Sequence, residues 1–470
     1  LTGIKMEEKA LIHKGDTKAL TVEYTPADTT DDKTVAWSSS DSTVASVDNN
    51  GIVTAVKPGS AVITAKVGNY QATCAVTVDA PLKEIVPEKA IIDMVKKQTA
   101  NIAYSVVPAD TTDSKDVTYT SSDETVATVN SDGKVTLCAV GDNLIHNTLI
   151  DAGKQEDGSY DYTSLYQNIA PVIQKYDVSV IDQETVLGGS NFEYSGYPVF
   201  NSPQEIGDAT INAGFDIFNC ANNHIMDKGS QGIMNEIEYF KKHKNVVYLG
   251  INEDEKSYNT IKYYVKNNIT FALLNYTYGT NGIDLPSDKP WIVNMMDKDK
   301  VTKDIKEARA NADVVIVFPH WGTENSFSIS DYQKEYTDLF SKLGVDLVIG
   351  CHPHVIEPVK EVTNKSGHKM LVYYSLGNFI SHQIEIDQLC GGIASVDIEK
   401  KNGKITVNGK FIPIVTHYNR TDGDKFRFDV YKLSDYTDEL AKSHSQNGGT
   451  PEYYNKLVKK VIDEKYLDLS

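Results

Sequence analysis

The chain has 470 residues, of which 40% are hydrophobic and 24% are charged, and its formal net charge is −19. A chain of this length exceeds a single ordinary hydrophobic core, so we expect two to four domains. The negative charge disfavours nucleic acid and anionic lipid as partners. No apolar run reaches the roughly 20 residues that a transmembrane helix requires. The opening residues "LTGIKMEE" lack the pattern of a secretion signal, so we expect a signal or anchor segment to be absent from this chain.

The cysteines are few and scattered. They form neither a CxxC metal motif nor the dense framework of a disulfide-stabilised domain. We therefore expect them to be small buried hydrophobic residues. They are Cys74, Cys138, Cys220, Cys351 and Cys390.

An internal repeat occupies the first part of the chain. Residues 26–54, "PADTTDDKTVAWSSSDSTVASVDNNGIVT", recur without a gap as residues 108–136, "PADTTDSKDVTYTSSDETVATVNSDGKVT", at an offset of 82 residues. Short alternating runs of Val, Thr and Ala, broken by Asp, Asn, Gly and Pro, are typical of a small antiparallel β-sandwich. The sequence therefore predicts two β-sandwich copies.

Both copies resemble the bacterial Ig-like domains of group 2, through the core motifs at Trp37 to Thr54 and at Tyr119 to Thr136. The resemblance implies an extracellular protein in which these domains act as spacers or adhesive modules. The first copy continues past Thr54 for two more strands. The second copy has no such continuation, because the apolar segment "LCAVGDNLIH" follows Thr136 directly. Its final strands are missing, are supplied from elsewhere, or are omitted from this chain.

From residue 137 onward, apolar runs alternate with amphipathic stretches, which is typical of an α/β domain. Five of the apolar runs end in polar side chains. Because ligands bind beyond the carboxyl ends of the strands in open α/β sheets, we expect these side chains to converge. Carboxylate, amide and imidazole groups are the ligands of a hydrolytic metal centre, although each one alone could be a turn or a helix cap. They are Asp142, Asp182 with Glu184, Asn223 with His224, His320, and His352 with His354.

The segment "GCHPH" is the strongest single indication of a metal site. Two imidazoles at positions i and i+2 after an apolar strand point the same way, and Pro353 fixes the backbone between them.

Six ordered motifs, "GDNLIH", "DQET", "NCANNHIMDKG", "FPHWGTE", "GCHPHVIEPV" and "VYYSLGNFI", resemble those of the CapA family of poly-γ-glutamate capsule proteins. That family is similar in fold to the calcineurin-like metallophosphoesterases, so the resemblance implies a four-layer α/β sandwich over residues 137–420. It also implies one or two divalent ions (Mn, Fe, Zn or Mg), with His224 as the general acid. The implied metal ligands are Asp142, Glu184, Asn223, His320, His352 and His354.

The sequence departs from the metallophosphoesterase pattern at two places. His146 stands four residues after Asp142, where the enzymes have Asp-x-His, and it would return to the same face if this segment were helical. Glu184 replaces an aspartate, which could loosen or remove one metal ion.

Further candidates lie near these motifs. Asp227 could hold the His224 imidazole, as a second catalytic residue, or cap the following helix. Loop residues that could contact substrate or add a ligand include Tyr276, Glu324 and Asn378, together with His146. We expect His382 and His417 to be ordinary, partly buried histidines.

The predicted organisation is multidomain: N-terminal all-β Ig-like sandwiches, then the α/β metallophosphoesterase-like domain. The predicted boundaries are 1–80 for the first Ig-like domain, 81–136 for the second, truncated one, 137–420 for the α/β domain and 421–470 for a C-terminal helical tail.

We expect a protein at the cell surface or cell wall that acts in poly-γ-glutamate capsule biosynthesis or export through a metal-dependent phosphoesterase-type hydrolase site. Its partners would be poly-γ-glutamate or another cell-envelope polymer, and the capsule synthesis machinery. Chain and polymer are both negative, so either cations mediate their contact or the polymer is not the direct ligand. Two alternatives stay open: a non-catalytic assembly protein with a structural or vestigial metal site, and an adhesin with an incidental α/β domain.

Overall fold

A computed structural model describes residues 1–92, 102, 104–113, 115, 117, 119, 126, 133–401, 403–421 and 425–470. The chain divides into two compact units, Leu1–Asn130 and Ser131–Ser470.

The first unit is built from short strands. They are β1 (Gly3–Lys5), β2 (Lys9–His13), β3 (Thr17–Ala19), β4 (Glu23–Thr25), β5 (Ala36–Ser39), β6 (Ala45–Val47), β7 (Ile52–Ala55), β8 (Gly59–Val67), β9 (Tyr70–Asp79), β10 (Glu84–Pro87) and β11 (Tyr104–Val107).

A sandwich forms the first Ig-like copy. One sheet has the order β2-β9-β8-β5, and the other has the order β3-β7-β6. Side chains alternate between the core and solvent along these strands, as the period of a β-strand requires. In β9, for example, Cys74, Val76 and Val78 are buried while the residues between them are exposed. The predicted all-β N-terminal region is confirmed.

Most of the second Ig-like copy lies outside the described residues, including nearly all of its motif from Tyr119 to Thr136. Its described part contains β10 paired antiparallel with β11. The last four residues of the repeat, 133–136, begin a long strand that belongs to the second unit. The predicted truncation of this copy therefore falls outside the described residues.

The second unit contains fourteen of the strands that lie in the described residues. They are β12 (Gly133–Asn143), β13 (Val178–Asp182), β14 (Ile217–Asn219), β15 (Val247–Leu249), β16 (Lys262–Lys266), β17 (Ile269–Thr277), β18 (Val314–His320), β19 (Leu347–Ile349), β20 (Val359–Thr363), β21 (Lys369–Tyr373), β22 (Asn378–Ile380), β23 (Cys390–Lys401), β24 (Lys404–Arg420) and β25 (Phe426–Lys432).

Helices connect and cover these strands. The α-helices are α1 (Asn147–Gly153), α2 (Thr163–Tyr166), α3 (Ala170–Ile173), α4 (Glu205–Ala213), α5 (Gly229–Lys242), α6 (Glu255–Tyr258), α7 (Lys298–Asn311), α8 (Asp331–Leu343), α9 (Asp438–Ser443) and α10 (Pro451–Val461). The 3₁₀ helices are Gly189–Asn191, Ile386–Leu389, Leu433–Asp435 and Glu464–Tyr466.

The helix ends follow local chemistry. At the start of α8, the Ser330 hydroxyl accepts a hydrogen bond from the Gln333 N–H at 3.2 Å, and the Gln333 side chain reaches back to the Ser330 N–H. This reciprocal arrangement satisfies two backbone donors that a helix start leaves free. Gly344 ends the same helix at φ +84°, in the left-handed conformation that glycine adopts at little cost.

Two mixed sheets form the framework of the second unit. The larger has the order β15-β14-β13-β12-β23-β24-β25, with β22 also paired to β12, and the smaller has the order β16-β17-β18-β19-β21-β20. Strands β12 to β15 pair in parallel, as do β17, β18, β19 and β21. The antiparallel strands are β23, β24 and β25 in the larger sheet and β16 and β20 in the smaller one. The carboxyl ends of the parallel strands therefore lie together at one edge of each sheet.

The two faces of the smaller sheet bury different cores. Phe271 and Leu273 of β17 belong to the core that contains the larger sheet. The intervening Ala272 and Leu274 belong to a second core with α7 and α8. Helices α4 and α5 pack into the larger core, so the order is helices, sheet, sheet, helices. The predicted four-layer α/β sandwich is confirmed.

The C-terminal segment joins this unit. Strand β25 pairs with β24 in the larger sheet, and α10 buries Tyr454, Leu457 and Val458 in its core. All five cysteines are buried and free, as expected. No helix within the described residues is long and apolar enough to cross a bilayer.

Candidate metal centre

The parallel strands bring the predicted ligands to one edge of the sheets. In the larger sheet Asp142 of β12 lies beside Asp182 of β13 and also beside Asn378 of β22. In the smaller sheet β18 ends on His320, which forms a bridge with Cys351 in the loop after β19. The two edges meet, since His320 Nδ1 lies 3.3 Å from Asp182 Oδ2.

Six buried side chains form two groups of potential metal ligands. One group is Asp142, Asp182 and His320, and the other is Glu184, His352 and His354. In each group one ligand atom per residue lies within 4.8 Å of the others. His354 connects the groups, because its Nδ1 is 2.9 Å from Asp142 Oδ2 and its Nε2 is 3.7 Å from Glu184 Oε1.

Several polar atoms in this cluster are buried and make no hydrogen bond, although some of them face an ion-pair partner, as His320 Nδ1 faces Asp182 Oδ2 at 3.3 Å. Burying such atoms unpaired costs several kcal/mol, and native proteins rarely tolerate it. Nitrogen and oxygen donors of this kind suit divalent ions such as Zn, Fe or Mn. The residues therefore fit a centre of one or two divalent ions. The unpartnered atoms are Asp182 Oδ2, Glu184 Oε1 and Oε2, His320 Nδ1 and His352 Nδ1.

The cluster shifts the pKa of its histidines. Burial lowers the pKa of His320, but Asp182 and Glu184 outweigh it and raise that pKa to about 10. Glu184 and Asp142 likewise overcome burial and raise the pKa of His354 to about 9. The pKa of His352 is lowered well below its usual value by burial and by the neighbouring imidazoles. Metal binding would therefore displace protons from His320 and His354, because a metal ligand must be deprotonated.

The cluster also shifts the pKa values of two of its carboxyl groups, in opposite directions. Burial raises the pKa of Asp182 to about 7. Burial also opposes ionisation of Glu184, but His354 and His320 outweigh it and lower that pKa to about 2. Glu184 is thus the most strongly anionic group of the cluster, although it is the residue that departs from the metallophosphoesterase pattern.

His352 and His354 reach the cluster by a different route from the one predicted. They lie in a loop after β19 with φ values of +104° and +60°, which are strained conformations for residues other than glycine. The alternation of an extended strand therefore does not direct them. The loop is instead fixed by Asp142, whose Oδ1 accepts a hydrogen bond from the His352 N–H at 3.0 Å.

Asn223 and His224 lie beside the cluster. The Asn223 amide oxygen accepts a hydrogen bond from His320 Nε2 at 2.8 Å. His224 Nδ1 is 2.9 Å from Asp227 Oδ2, which also accepts from the Phe200 N–H at 2.7 Å. Asp227 thus holds the imidazole, while α5 begins one residue after Lys228 without a side-chain cap.

The helix condition behind the predicted role of His146 is not met. Asp142 and Asn143 remain in β12, and α1 begins only at Asn147, so the side chains of Asp142 and His146 do not meet through helical spacing. Burial lowers the pKa of His146 to about 4. Its neutral ring accepts a hydrogen bond from the His382 N–H at 3.2 Å.

Tyr276 is not where the sequence placed it. Its ring is fully buried in the core beneath α7, and its hydroxyl donates to Asp304 Oδ2 at 2.9 Å. The reason is strand alternation, which turns this residue of β17 away from the larger sheet. Tyr278, which follows the strand and which the sequence also offers as a groove residue, does lie at the site, with its ring 4.6 Å from the ring of His352.

The remaining candidates differ in position. Asn378 Oδ1 lies 3.1 Å from His354 Nδ1, so this residue helps to orient an imidazole. Glu324 is exposed. His382 and His417 pack among aromatic rings: His382 against Phe428 and His417 against Tyr436.

Two residues of the site escaped the predicted ligand set. Asp182 ends β13 and is one of the predicted polar strand ends, but the family resemblance implies Glu184 as the ligand in this segment. Asn281 is held at φ +52° and bridges two candidates: its Oδ1 accepts from Asn223 Nδ2 at 3.2 Å, and its Nδ2 lies 3.3 Å from His224 Nδ1. The only sequence signal for it is the turn dipeptide Asn-Gly.

The fold and the site define an α/β domain with two buried clusters of potential metal ligands at its strand ends. Residues 136–383 match the family described as bacterial capsule synthesis protein PGA_cap, and residues 3–78 and 83–159 match the bacterial Ig-like domain of group 2. The chain belongs to the PGA_cap family and carries group 2 Ig-like domains.

Curated relatives agree with this assignment. The chain is 30% identical over 234 residues to "PGA biosynthesis protein CapA" of Bacillus subtilis (strain 168), covering 47% of this chain and 57% of that protein. It is 29% identical over 259 residues to "Capsule biosynthesis protein CapA" of Bacillus anthracis, covering 53% and 60%. The chain thus spans less than two thirds of the length of either relative.

A solved structure, described as a hypothetical protein from Thermus thermophilus, is 13% identical with a TM-score of 0.34. The match covers 59% of this chain and 99% of that one.

Proposed function

We propose that this protein acts at the cell surface in the biosynthesis of a poly-γ-glutamate capsule, with a metal-dependent hydrolase site of the phosphoesterase type. Membership of the PGA_cap family and the names of the two Bacillus relatives support the capsule role. The Ig-like domains support the surface location, because such domains are typical of exported proteins.

The observation that carries the hydrolase proposal is the set of unpartnered buried atoms on Asp182, Glu184, His320 and His352. A purely structural cluster would satisfy these atoms with hydrogen bonds, as buried polar groups usually are, whereas here several of them only face ion-pair partners at 3.3 to 3.7 Å. Bound divalent ions would supply Lewis acidity, lowering the pKa of an attacking water and stabilising developing negative charge. The candidate ligands are the six residues of the two groups, together with Asn223.

The chain's own contribution to proton transfer would come from His224. Its Nδ1 faces the Asp227 carboxylate at 2.9 Å, which leaves Nε2 to give or accept a proton. The Phe200 ring lies 4.6 Å from the imidazole and keeps this side of the site apolar. Asn281 contacts both His224 and Asn223, so it would keep the proton donor in register with the metal ligands.

The test uses the purified full chain. Metal content is measured by elemental analysis, and hydrolysis is followed on an aryl phosphate and on a γ-glutamyl amide. We expect bound metal and turnover of the phosphate ester. His354→Ala should lose metal and activity, and His224→Ala should keep metal but lose about 10²-fold or more in kcat. His243→Ala, a partly exposed histidine at the end of α5, is the matched control and should behave as wild type.

Two outcomes would contradict the proposal. A wild-type chain without bound metal would exclude the hydrolase site, and a chain with metal but no turnover of either substrate would favour a non-catalytic assembly role. Protease accessibility of the Ig-like domains on intact cells tests the surface location separately.

A further inference from the structure

A cleft of about 380 Å³ lies beside the candidate metal centre and takes no part in the proposed ligand set. Its volume falls within the range of small-molecule sites in proteins. Its walls combine an aromatic loop with charged side chains. The lining residues include Glu193, Ser195, Gly196, Tyr197, Val199 and Lys228.

The loop that forms the outer wall is fixed at both ends. Ser195 and Asn201 pair through two backbone hydrogen bonds of 3.1 and 2.8 Å, which close residues 196–200 into a short loop. The Gly196 N–H donates to Asn147 Oδ1 at 2.6 Å, and a Cβ on Gly196 would lie 2.6 Å from the Asn147 backbone nitrogen. The wall is therefore preformed, and only a glycine fits at its closest approach.

The cleft shares walls with the proton-transfer residues. Lys228 follows Asp227, the partner of His224, and Val199 precedes Phe200. The Phe200 ring contacts His224 at 4.6 Å and His146 at 5.5 Å, and lies 6.5 Å from the Tyr197 ring. A group bound in the cleft is thus separated from His224 by one aromatic ring.

One cation and one anion face this cleft. The Lys228 ammonium donates to Ser195 Oγ at 3.0 Å and to the Val199 carbonyl at 3.4 Å, which leaves one of its three N–H groups for a ligand. Glu193 is exposed, and its carboxylate makes no ion pair within the part of the chain that the structure describes. Tyr197, 73% exposed, adds a large apolar surface at the rim. This combination complements a ligand that carries both a carboxylate and an ammonium group.

We propose that this cleft binds the free amino end of a γ-linked glutamyl chain, with the terminal α-carboxylate at Lys228 and the terminal α-ammonium at Glu193. The proposal rests on the proposed function for the identity of the polymer. In a γ-linked chain the first residue keeps both α-groups free. Interior residues keep only the α-carboxylate, which Glu193 repels. An α-linked chain has no free α-carboxylate at its amino end, so the charge pair selects both the linkage and the chain end.

Titration calorimetry on the full chain tests the subsite with three probes: γ-linked triglutamate, the same peptide acetylated at its amino end, and α-linked triglutamate. We expect the free γ-linked peptide to bind at least about 10-fold more tightly than the other two, as expected for one well-placed charge pair near a surface.

Variants of the two charged residues sharpen this test. Glu193→Gln should weaken the free γ-linked peptide about 10-fold while leaving the acetylated one unchanged or tighter. Lys228→Met should weaken both γ-linked peptides. The matched controls are Glu399→Gln on β23 and Lys342→Met on α8, both exposed, which should leave every affinity unchanged.

Equal affinity for all three probes, or a Glu193→Gln variant that keeps the preference for the free amino end, would overturn the subsite. Lys228 also holds the loop, so a loss of affinity in its variant supports the subsite only if the thermal transition is unchanged. The Glu193 side chain makes no such contact within the described residues. His354→Ala separates the two proposals: it should lose metal and turnover but keep selective binding. A wild-type chain that hydrolyses the phosphate ester but does not prefer the free γ-linked peptide would overturn the subsite alone. A chain that shows this preference and binds metal, but hydrolyses neither substrate, would overturn the hydrolase proposal alone.

Discussion

Carboxylates serve opposite purposes in the two units of this chain. In the first Ig-like copy, Asp41 and Asp48 are exposed and accept hydrogen bonds from the turns that follow them; Asp48 Oδ1, for example, accepts from the Ile52 N–H at 2.8 Å. These bonds lower the pKa of both residues. In the second unit Asp182 and Glu184 are buried with oxygens that have no hydrogen-bond partner.

The contrast shows that the surroundings of a carboxylate indicate whether it stabilises a turn or could bind a ligand. A carboxylate that satisfies a local turn completes its interactions within a few residues and requires nothing else. A buried carboxylate with a free oxygen carries a free-energy cost, which protonation or a bound cation can reduce. The first unit therefore has the features of a self-sufficient scaffold, whereas the second is built to receive a ligand.

The largest expected difference between the units is in the stability that a glycine-to-alanine substitution costs. A Cβ on Gly141, which directly precedes Asp142, would overlap the carbonyl oxygen of Gly377. Because the overlap is between main-chain segments of paired strands, we expect Gly141→Ala to destabilise the second unit by more than about 3 kcal/mol and to abolish metal binding. Gly68 in the first unit has φ +56° and open space around it, so Gly68→Ala should cost only about 1 kcal/mol. Denaturant unfolding of both variants measures the two costs; similar values would remove the contrast.

Removal of metal is expected to have the next largest effect on stability. If the second unit binds metal at one hundred times its Kd, the ion adds about 2.7 kcal/mol to the stability of that unit. A chelator should therefore lower the thermal transition of residues 131–470 by several degrees and leave the Ig-like transition in place. Scanning calorimetry of the full chain, with the metal added back as the control, checks this. A shift of both transitions would show that chelation acts without regard to the site.

A buried acid outside the metal cluster should give a smaller, pH-dependent effect. Glu236 on α5 is fully buried, and burial raises its pKa to about 8. The unfolded chain ionises this group near pH 4.5 while the folded chain keeps it protonated, so its contribution to stability is lost as pH rises from about 4.5 to 8. Glu236→Gln should therefore gain stability relative to wild type as pH rises from about 4.5 to 8 and should be nearly equal to it at pH 4.5.

Unfolding curves at both pH values measure the Glu236 effect. Glu238→Gln, an exposed glutamate on the same helix, is the control and should show no such dependence. A Glu236→Gln variant that tracks wild type at every pH would mean that the buried acid ionises freely.

The smallest effect is expected at the turn carboxylates of the first unit. Asp48→Ala removes the acceptor of two backbone donors that water can also satisfy, so it should shift the Ig-like transition by less than Gly68→Ala does. Because the pKa of Asp48 is lowered in the folded chain, its stabilisation is present at neutral pH and is lost as pH falls through that lowered pKa. The Ig-like transitions of wild type and Asp48→Ala should therefore occur at the same temperature in acid. A difference that persists in acid would show that Asp48 acts through packing.

Much of the architecture could be predicted because it depends on local periodicity. The 82-residue repeat and its alternating pattern predicted the β-sandwich, and apolar runs ending in Asp142, His320 and the "GCHPH" segment predicted strands with a shared polar edge. Parallel pairing then follows from strand order, since a buried strand with covering helices leaves few other arrangements. These features need only the spacing of residues along the chain.

The tertiary structure decided what each strand end contacts. Asp182 rather than Glu184 lies next to Asp142 in the sheet register, and Tyr276 is turned into the core while Tyr278 meets His352. Asn281 contacts His224 although 57 residues separate them. The sequence could not specify these contacts, because they depend on how two sheets meet and on left-handed backbone conformations that tertiary packing holds in place. Sequence alone therefore determined which side chains reach the edge, and only the folded chain decided which of them lie together.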